Sequence, residues 1–205
     1  YTSSYSLSLP EKLEYKNKVI PKKVNADSKR QLKRLENLGI LNFHKIENIQ
    51  KYSEAIKILI GYKKEQFKDT GATNVFSNSQ IKEFYLNSKN ANIHDVQIDL
   101  SVLQLDKKII AVHWGLVHKN TFYYLMPSYD KSMSIYSPGR LLMEFLIEKS
   151  IIKGLEIFDL TIGAEEYKKK YSTTKNKINY VLELNSYSAI IFYIYSEVIM
   201  RAKSN

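Results

Sequence analysis

Residues 137–140 begin an apolar helical pattern with residue types that could bind a phosphate group. Ser137 suits the N-cap, and Pro138 suits the first turn, where a missing N–H is no loss. Gly139 is a poor helix former, so its use there makes sense if a ligand approaches the backbone closely. Arg140 adds a cation to a helix end that already carries partial positive charge. These features describe a phosphate site, although a capped amphipathic helix without a ligand explains the same residues.

The elements around this helix must form a sheet that carries it. Alternating apolar residues predict three antiparallel strands at 96–102, 109–117 and 122–126. After the helix that begins at Ser137, an apolar strand is predicted at 155–160. This strand, helix, strand order favours a right-handed crossover between parallel neighbours. The sequence therefore predicts a mixed α/β (α+β) fold, with a mostly antiparallel twisted sheet, one parallel crossover and flanking helices.

Further elements are predicted on both sides of this region. Residues 1–9 indicate a short strand or an extended arm, and residues 25–38 an exposed basic helix. Two more helical patterns cover 46–62 and 78–87. The last predictions are a short charged helix from Glu165, a strand at 178–184 and an apolar helix at 186–203.

The composition restricts the classes of partner and chemistry. The 205 residues include 31 Lys+Arg against 21 Asp+Glu, and the net charge of +10 suits an anionic partner. Most lysines are scattered and fit a solvated surface, but two denser basic groups lie at 29–34 and 168–170. The absence of cysteine excludes disulfides, thiol catalysis and cysteine-ligated zinc. The absence of cysteine also fits the cytoplasmic location that we expect. Because neither a signal peptide nor a membrane-length apolar run is visible, we expect a soluble or at most peripheral protein.

Three stretches carry a family resemblance. They are YSPGRLLMEFLIEK at 136–149, GLEIFDLTIGAEEYKKKYS at 154–172 and, upstream, IIAVHWGL at 109–116. Together they resemble the C-terminal half of the GNAT-type acyltransferases grouped with the CelD proteins of cellulose and exopolysaccharide biosynthesis. The sequence departs from that pattern where the family has a basic residue, an aspartate and a proline. These positions are Ile162, Ala164 and Glu166.

The resemblance implies a GNAT fold whose splayed central strands admit the pantetheine arm of acetyl-CoA or another acyl-CoA. It also implies that the pyrophosphate lies on the start of the helix after the fourth strand. The cofactor-binding residues at that start are then Ser137, Gly139, Arg140, Leu141 and Leu142. Family members carry another GNAT-like lobe before this one. We therefore expect residues 1–45 to be an arm and basic helix linking to such a lobe, and residues 46–205 to be the acyltransferase domain.

Acyl transfer to an amine needs a base, N–H groups for the oxyanion and an acid for the leaving thiolate. Asp159 ends the strand after the crossover, where open α/β sheets place ligands, although a turn-stabilising aspartate is an equal explanation. Tyr167 matches the family pattern, whereas Glu165 is also an ordinary i, i+4 helix partner of Lys169. His113 lies mid-strand beside small residues, as a base at a groove or as a core histidine. These four side chains are the catalytic candidates.

Three further residues are candidates for contacts with the substrate. Tyr129 and Asp130 precede the helix start and could line the same groove, although an ordinary polar loop explains them as well. Lys168 matches the family pattern. The remaining histidines show no metal-ligand spacing, so we expect no metal site.

The first expectation is an acyl-CoA-dependent N-acyltransferase that acts on a small-molecule acceptor. An amino sugar or a related precursor of envelope polysaccharide is implied by the resemblance alone. One alternative is a FemABX-like aminoacyl transferase, in which the basic helix near Arg30 contacts transfer RNA. The other is a catalytically inactive GNAT-like module that binds a partner through its basic face or through the helix at 186–203.

Overall fold

A computed structural model describes residues 2–12, 20–91, 94–163, 165–179, 186–188 and 190–191. Residues 3–176 form one compact unit, and residues 1–2 together with 177–205 form a second unit. The candidate functional side chains all belong to the first unit. Within the described residues, no helix combines the length and the apolar character that a membrane span requires.

The described residues contain the strands β1 (Thr2–Ser8), β2 (Leu41–Lys45), β3 (Val96–Leu105), β4 (Lys108–His118), β5 (Thr121–Tyr129), β6 (Ile157–Ile162) and β7 (Thr174–Ile178). They form one sheet in the order β2-β3-β4-β5-β6-β1-β7. β5 and β6 are parallel, whereas β1–β6, β2–β3, β3–β4 and β4–β5 are antiparallel. The predicted mixed α/β fold with one parallel crossover is therefore confirmed.

The helices are α1 (Lys22–Glu36), α2 (Ile49–Thr70), α3 (Ser79–Asn87), α4 (Pro138–Ile152) and α5 (Glu166–Tyr171). α4 makes the crossover from β5 to β6, as its apolar pattern predicts. α2 extends beyond the predicted end at Tyr62, because the next turns are rich in lysine, glutamate and glutamine, which favour helix. It begins where the Asn48 side chain accepts a hydrogen bond from Gln50 N at 2.9 Å, and it ends at Gly71 in the left-handed region.

The helices cover both faces of the sheet. Successive residues of a strand point to opposite faces, so neighbouring positions of β3 and β4 serve different cores. On one face α2 packs against these strands through Ala55, Ile56, Leu59, Val102 and Val112. On the other face α1 and α4 pack against them through Leu35, Leu142, Leu146, Leu103 and Ala111. Each fully buried aliphatic side chain contributes about 1.5–3 kcal/mol, so these two cores fix the helices to the sheet.

The central meander β3–β4–β5 follows the sequence prediction closely. Two-residue turns join the strands, and their first residues, Asp106 and Lys119, both have φ 52°. A right-handed strand twist favours positive φ in such tight turns, which accounts for their polar residues. The three predicted antiparallel strands are confirmed.

Two elements differ from the sequence predictions. β2 has no counterpart among them, because its five residues, LNFHK, include two apolar side chains, too few to mark a strand by alternation. α1 is basic as predicted, but the expectation that it is exposed is wrong. It buries Ser28, Gln31 and Leu35, because its inner face packs beside α4.

The chain ends bear on further predictions. The strand predicted at residues 1–9 is confirmed as β1, whose Leu7 is fully buried. β1 and α1 lie in the same compact unit as β3–β6, while the expected link to another lobe stays a prediction. A strand is present at Thr174–Ile178, but most of the predicted strand at 178–184 lies outside the described residues. Most of the predicted helix at 186–203 does too.

Candidate active site

The parallel pair of strands at the centre of the sheet is short. Residues 121–123 of β5 pair with residues 157–159 of β6. β5 continues to Tyr129 and β6 to Ile162, but the described residues beyond this ladder form no further β5–β6 pair. The two strands therefore part, and their facing backbone groups are left for water or a ligand.

An aromatic stack fills the core where the strands begin to part. The rings of Phe122 and Phe158 lie 5.0 Å apart between centroids and are almost parallel, at 4°. Phe158 also lies 5.6 Å from Tyr124. Both phenylalanines are buried and are partners in the parallel ladder, so packing and backbone pairing together hold the two strands at the closed end of the opening.

A bulge in β5 lies at the opening. Trp114 pairs with Met126 and Leu116 pairs with Tyr123, so two β5 residues lie opposite Gly115 alone. Such bulges re-aim side chains and are common beside active sites. A Cβ at Gly115 would collide with the His113 ring and with the Tyr123 carbonyl oxygen, so only glycine fits. The bulge and its glycine thus form one feature.

A cleft of about 440 Å³ occupies the opening between the strands. Its walls come from α2 on one face of the sheet and from the start of α4 on the other. The residues that line it are Lys63, Gln66, Tyr124, Pro127, Tyr129, Ser134, Ser137, Pro138, Gly139, Arg140, Met143, Glu165 and Tyr167. Of the candidates from the sequence, the cleft brings together Tyr129, Ser137, Gly139, Arg140, Glu165 and Tyr167.

The start of α4 offers few free backbone donors. Ser137 has φ 53°, and its side chain makes no capping hydrogen bond. Its carbonyl oxygen accepts from both Arg140 N and Leu141 N, each at 3.1 Å. Pro138 has no N–H, so Gly139 N is at most the one free donor of this turn. Among the other candidates here, the side chains of Leu141 and Leu142 face the core.

The space that a side chain at Gly139 would occupy is already filled by another residue of the protein. A Cβ there would lie 3.1 Å from Cδ1 of Tyr129, a tight contact. The close approach that glycine allows is therefore that of the Tyr129 ring, which forms part of the cleft wall. This contact explains the glycine without a ligand.

The anion beside Arg140 is Asp27 of α1. The Arg140 guanidinium donates to the Asp27 carboxylate, which also pairs with Arg30. The hydrogen bond from Arg140 is the main reason that the pKa of Asp27 lies below 3.8. Arg140 Nε is buried and has no partner in the described part of the chain. The guanidinium is thus partly neutralised but retains an unused donor.

Residues at the end of β6 bring a carboxylate and a phenol into the cleft. Lys168 is buried, and its Nζ lies 2.6 Å from the Ile162 carbonyl oxygen and 3.1 Å from the Glu165 carboxylate. This cation holds Glu165 at the cleft wall while itself lying behind it. Burial, reinforced by Glu165, raises the pKa of Tyr167, so its hydroxyl stays protonated.

Two acidic candidates lie outside the cleft. Asp159 accepts a hydrogen bond from Thr161 N at 2.7 Å, which supports a residue with φ 65° beside the β1–β6 bulge. Asp130 pairs with Lys108 at 2.5 Å and accepts from Ser132 N at 2.9 Å. Burial raises the pKa of Asp130, but these hydrogen bonds outweigh it and the pKa lies below 3.8. Both carboxylates are thus already engaged in hydrogen bonds or an ion pair with nearby groups.

His113 lies behind the cleft rather than in it. Its ring is fully buried and stacks on Tyr124, with 4.3 Å between centroids and 3° between planes. Neither ring nitrogen has a hydrogen-bond partner among the described residues. Burial, with a smaller effect of Lys63, lowers the pKa of His113 to about 3, so the ring is neutral. It supports the Tyr124 wall from inside.

A family comparison decides what kind of domain has this geometry. The model of a family described as an acetyltransferase (GNAT) domain matches residues 22–169. The chain belongs to this GNAT family. A search of curated protein sequences gives no significant match.

Solved structures with this GNAT fold are distant in sequence. A conserved protein of unknown function from Bacteroides thetaiotaomicron has a TM-score of 0.59 and 16% identity, with 85% of this chain and 58% of that chain covered. FemX has a TM-score of 0.59 and 8% identity, with coverages of 93% and 57%. The C-terminal domain assigned to a lysylphosphatidylglycerol synthetase from Agrobacterium fabrum has a TM-score of 0.50 and 14% identity, with coverages of 82% and 48%. The GNAT chain thus spans about half the length of these structures, and the likeness concerns the fold alone.

Sequence reasoning missed Lys63, a cation of the GNAT cleft. It lies on α2 just beyond the predicted helix end at Tyr62 and lines the cleft opposite the α4 start. The available signal was helical spacing, since Lys63 follows the buried Ile56 and Leu59 by seven and four residues and continues their stripe. A longer helix prediction would have placed it beside the sheet.

A buried carboxylate also escaped the sequence analysis. Glu144 of α4 accepts a hydrogen bond from Ser28 Oγ at 2.7 Å and another from the Tyr171 hydroxyl. It therefore ties α4 to α1 and α5, the helix that follows Glu165. Among the described residues of this GNAT domain, no group of three His, Asp or Glu side chains is placed to hold a metal ion.

The buried histidine predicts a pH dependence of stability. The folded pKa of about 3 lies below the ordinary 6.5, so the unfolded chain alone gains a proton as the pH falls below 6.5. His113 should therefore lower the free energy of unfolding by about 2 kcal/mol between about pH 8 and about pH 5. Urea unfolding at both pH values measures this change. His113→Leu should lose that part of the slope, and the exposed control His44→Gln should keep it; equal slopes in all three proteins would contradict the prediction.

Proposed function

We propose that this GNAT domain is an N-acyltransferase in which the acyl donor and an amine acceptor meet in the cleft between β5 and β6. The observation that carries the proposal is the opening of the parallel ladder after Tyr123 and Asp159, with the cleft passing between helices of both sheet faces. An extended donor arm can enter from one face and an acceptor from the other. The bulge opposite Gly115 supplies backbone groups at the meeting point.

The side chains of the cleft suit the proton transfers of this reaction. The amine nitrogen forms a bond to the acyl carbon, the bond from that carbon to the leaving sulfur or oxygen breaks, and the amine loses a proton. Glu165 is the carboxylate among the described cleft residues and can accept that proton. The Tyr167 hydroxyl, kept protonated by its raised pKa, can donate to the leaving group.

The donor we propose first is acetyl-CoA or another acyl-CoA, which supplies a thioester-activated acyl group. The open strand edges fit an extended pantetheine arm, and the cleft of about 440 Å³ gives it room. The start of α4 fits a diphosphate only in part, because Arg140 is paired with Asp27 and at most Gly139 N is free. A diphosphate at this helix start would compete with Asp27 for the guanidinium.

The acceptor we propose is an amino sugar or a related precursor of envelope polysaccharide. This assignment rests on the resemblance of residues 136–149 and 154–172 to the CelD-like proteins. Acyl-CoA and such precursors are found in the cytoplasm, which agrees with the compartment expected for this protein.

Thermal unfolding with acetyl-CoA and longer acyl-CoAs tests the donor. Acyl-CoA at 100 times its Kd should stabilise the wild type by about 2.7 kcal/mol. Asp27→Asn should tighten binding by about threefold or more, because it frees Arg140 from competition, and Arg140→Ala should weaken it by about tenfold. Asp69→Asn is a matched control, since Asp69 pairs with Lys131 outside the cleft. If no acyl-CoA changes the melting temperature, this donor is wrong.

A second candidate is an aminoacyl transferase that takes its acyl group from transfer RNA. The observation that favours it is the Asp27–Arg140 pair, since such a donor needs no diphosphate at the α4 start. The exposed face of α1 also carries Lys22, Lys29 and Lys33. RNA binding that weakens steeply with salt, without any response to acyl-CoA, would support this candidate. If neither donor is bound, a non-catalytic binding module remains.

A further inference from the structure

Lys63 places a positive charge on the wall of the cleft. It projects from α2, on the face of the sheet opposite α4, and shares the cleft with Tyr124, Glu165 and Tyr167. The side chain is half-buried. A cation in this position is paired, or it is available to a ligand.

No carboxylate of the described residues pairs with this ammonium group. Lys63 Nζ lies over the ring of Phe67, at 5.8 Å from the ring centroid. The neighbouring carboxylate, Glu165, is bound by Lys168 at 3.1 Å. The other cleft cation, Arg140, has Asp27. Among the described residues, Lys63 is therefore the cleft cation without an ion-pair partner.

The surroundings of Lys63 disfavour its charged form. Burial lowers the pKa of Lys63; the Glu165 carboxylate raises it, and the ammonium of Lys168 lowers it. The same cation contributes to the lowered pKa of His113, on the inner side of Tyr124. A half-buried cation without a partner is stabilised by any anion that enters the cleft.

We propose that Lys63 is an anion-binding subsite for the acceptor, and that the acceptor carries a phosphate or carboxylate group close to its reactive amine. The inference rests on the proposed N-acyltransferase function. Glu165 would receive the amine proton, and Lys63 would hold the anionic group, so the two side chains together select an acceptor with both charges. Amino sugars with a phosphate or a carboxylate belong to this class, whereas simple neutral amines do not.

Inorganic phosphate and acetate are the probes that test this subsite. The full chain is titrated with each anion while the melting temperature is followed, and selective ¹³C-methylation of lysines allows the Lys63 resonance to be titrated by NMR. One of the two anions should raise the melting temperature and the pKa of Lys63 in the wild type. A response to phosphate alone indicates a phosphorylated acceptor, and a response to acetate indicates a carboxylate.

Three variants separate this subsite from general charge effects. Lys63→Gln should weaken binding of the responding anion by about tenfold, and Lys63→Arg should retain most of it. Lys64→Gln removes an exposed charge from the next position of α2 and should leave binding unchanged.

The outcomes distinguish the subsite from the enzyme proposal. If the anions bind through Lys63 but no acyl donor binds, the subsite stands and the N-acyltransferase proposal fails. If acyl-CoA binds but Lys63→Gln and Lys64→Gln respond to both anions as the wild type does, the subsite is wrong. Absence of any anion response in the wild type also overturns it.

Discussion

Phe158→Ala is expected to lower the free energy of unfolding by about 3–5 kcal/mol. Phe158 is fully buried and stacks on Phe122, with 5.0 Å between the ring centroids. Its ring centroid lies 5.6 Å from that of Tyr124. Its removal leaves a cavity at the point where β5 and β6 part, and the surrounding strands can collapse only in part. Urea unfolding followed by circular dichroism measures the loss. The same variant should bind acyl donors more weakly, because the stack sets the closed end of the cleft.

The neighbouring residue provides the control for this variant. Ile157 lies on the same strand but is 39% exposed, so Ile157→Ala should cost less than about 1.5 kcal/mol. Phe158→Leu keeps an apolar side chain and should lose less than Phe158→Ala. Equal losses for Phe158→Ala and Ile157→Ala would show that the aromatic stack does not carry this stability.

Gly115→Ala is expected to destabilise the fold by about 3 kcal/mol or more. The added Cβ would meet the His113 ring and the Tyr123 carbonyl oxygen at distances that no ordinary contact allows. The ring is fixed by its stack on Tyr124, and the carbonyl belongs to the strand backbone, so neither can move away easily. Thermal and urea unfolding should both show the loss.

Gly61→Ala is the matched control, because it makes the same chemical change in a different environment. Gly61 lies within α2, and an added Cβ would have no heavy atom within 4 Å. Alanine there should stabilise the protein by about 0.5–1 kcal/mol through helix propensity. The two glycine variants should therefore shift the melting temperature in opposite directions. A shift of the same sign in both would contradict the bulge geometry around Gly115.

The parts of the fold that the sequence predicts well are those with strong local patterns. β3, β4 and β5 alternate clearly, and α4 combines Ser137, Pro138 and an apolar stripe, so their types and order follow from the chain itself. β2 was missed because its five residues carry two apolar side chains, too short a run to establish an alternating pattern. The inner face of α1 was missed for a related reason. Ser28 and Gln31 are polar residues that become buried only through partners elsewhere in the chain.

The sequence indicated which helix start lines the candidate site, but not which charged residues pair there. The residue types at 137–140 drew attention to a helix start that lines the cleft, and their role in binding a ligand stays a prediction. The anion beside Arg140 comes from Asp27, 113 residues earlier, and no local pattern announces such a contact. Lys63 likewise reaches the cleft from a helix on the other sheet face. Charge partners of this kind depend on tertiary packing, which a single sequence does not display.

The partners of the carboxylate candidates were also not predictable from the sequence. Asp159 was expected at the end of its strand but lies within β6, at the last position of the parallel ladder, and Asp130 directly follows β5. Their oxygens are nevertheless bound by Thr161 N and by Lys108 with Ser132 N. Local hydrogen bonds of a turn compete with a catalytic role for the same oxygens. Glu165 differs because its partner Lys168 holds it at the cleft wall.

The position of β1 in the sheet has a consequence for the order of folding. Tyr5 pairs with Thr161, so about 150 residues of chain must be in place before this contact can form. β6 would therefore have an open edge, and the buried Leu7 would be exposed to water, throughout the early stages of folding. During synthesis β1 leaves the ribosome long before its partner exists. β1 is synthesised before all the other described strands and is thus among the last to pair with its neighbour. The chain is most open to aggregation between the synthesis of β1 and its pairing with β6.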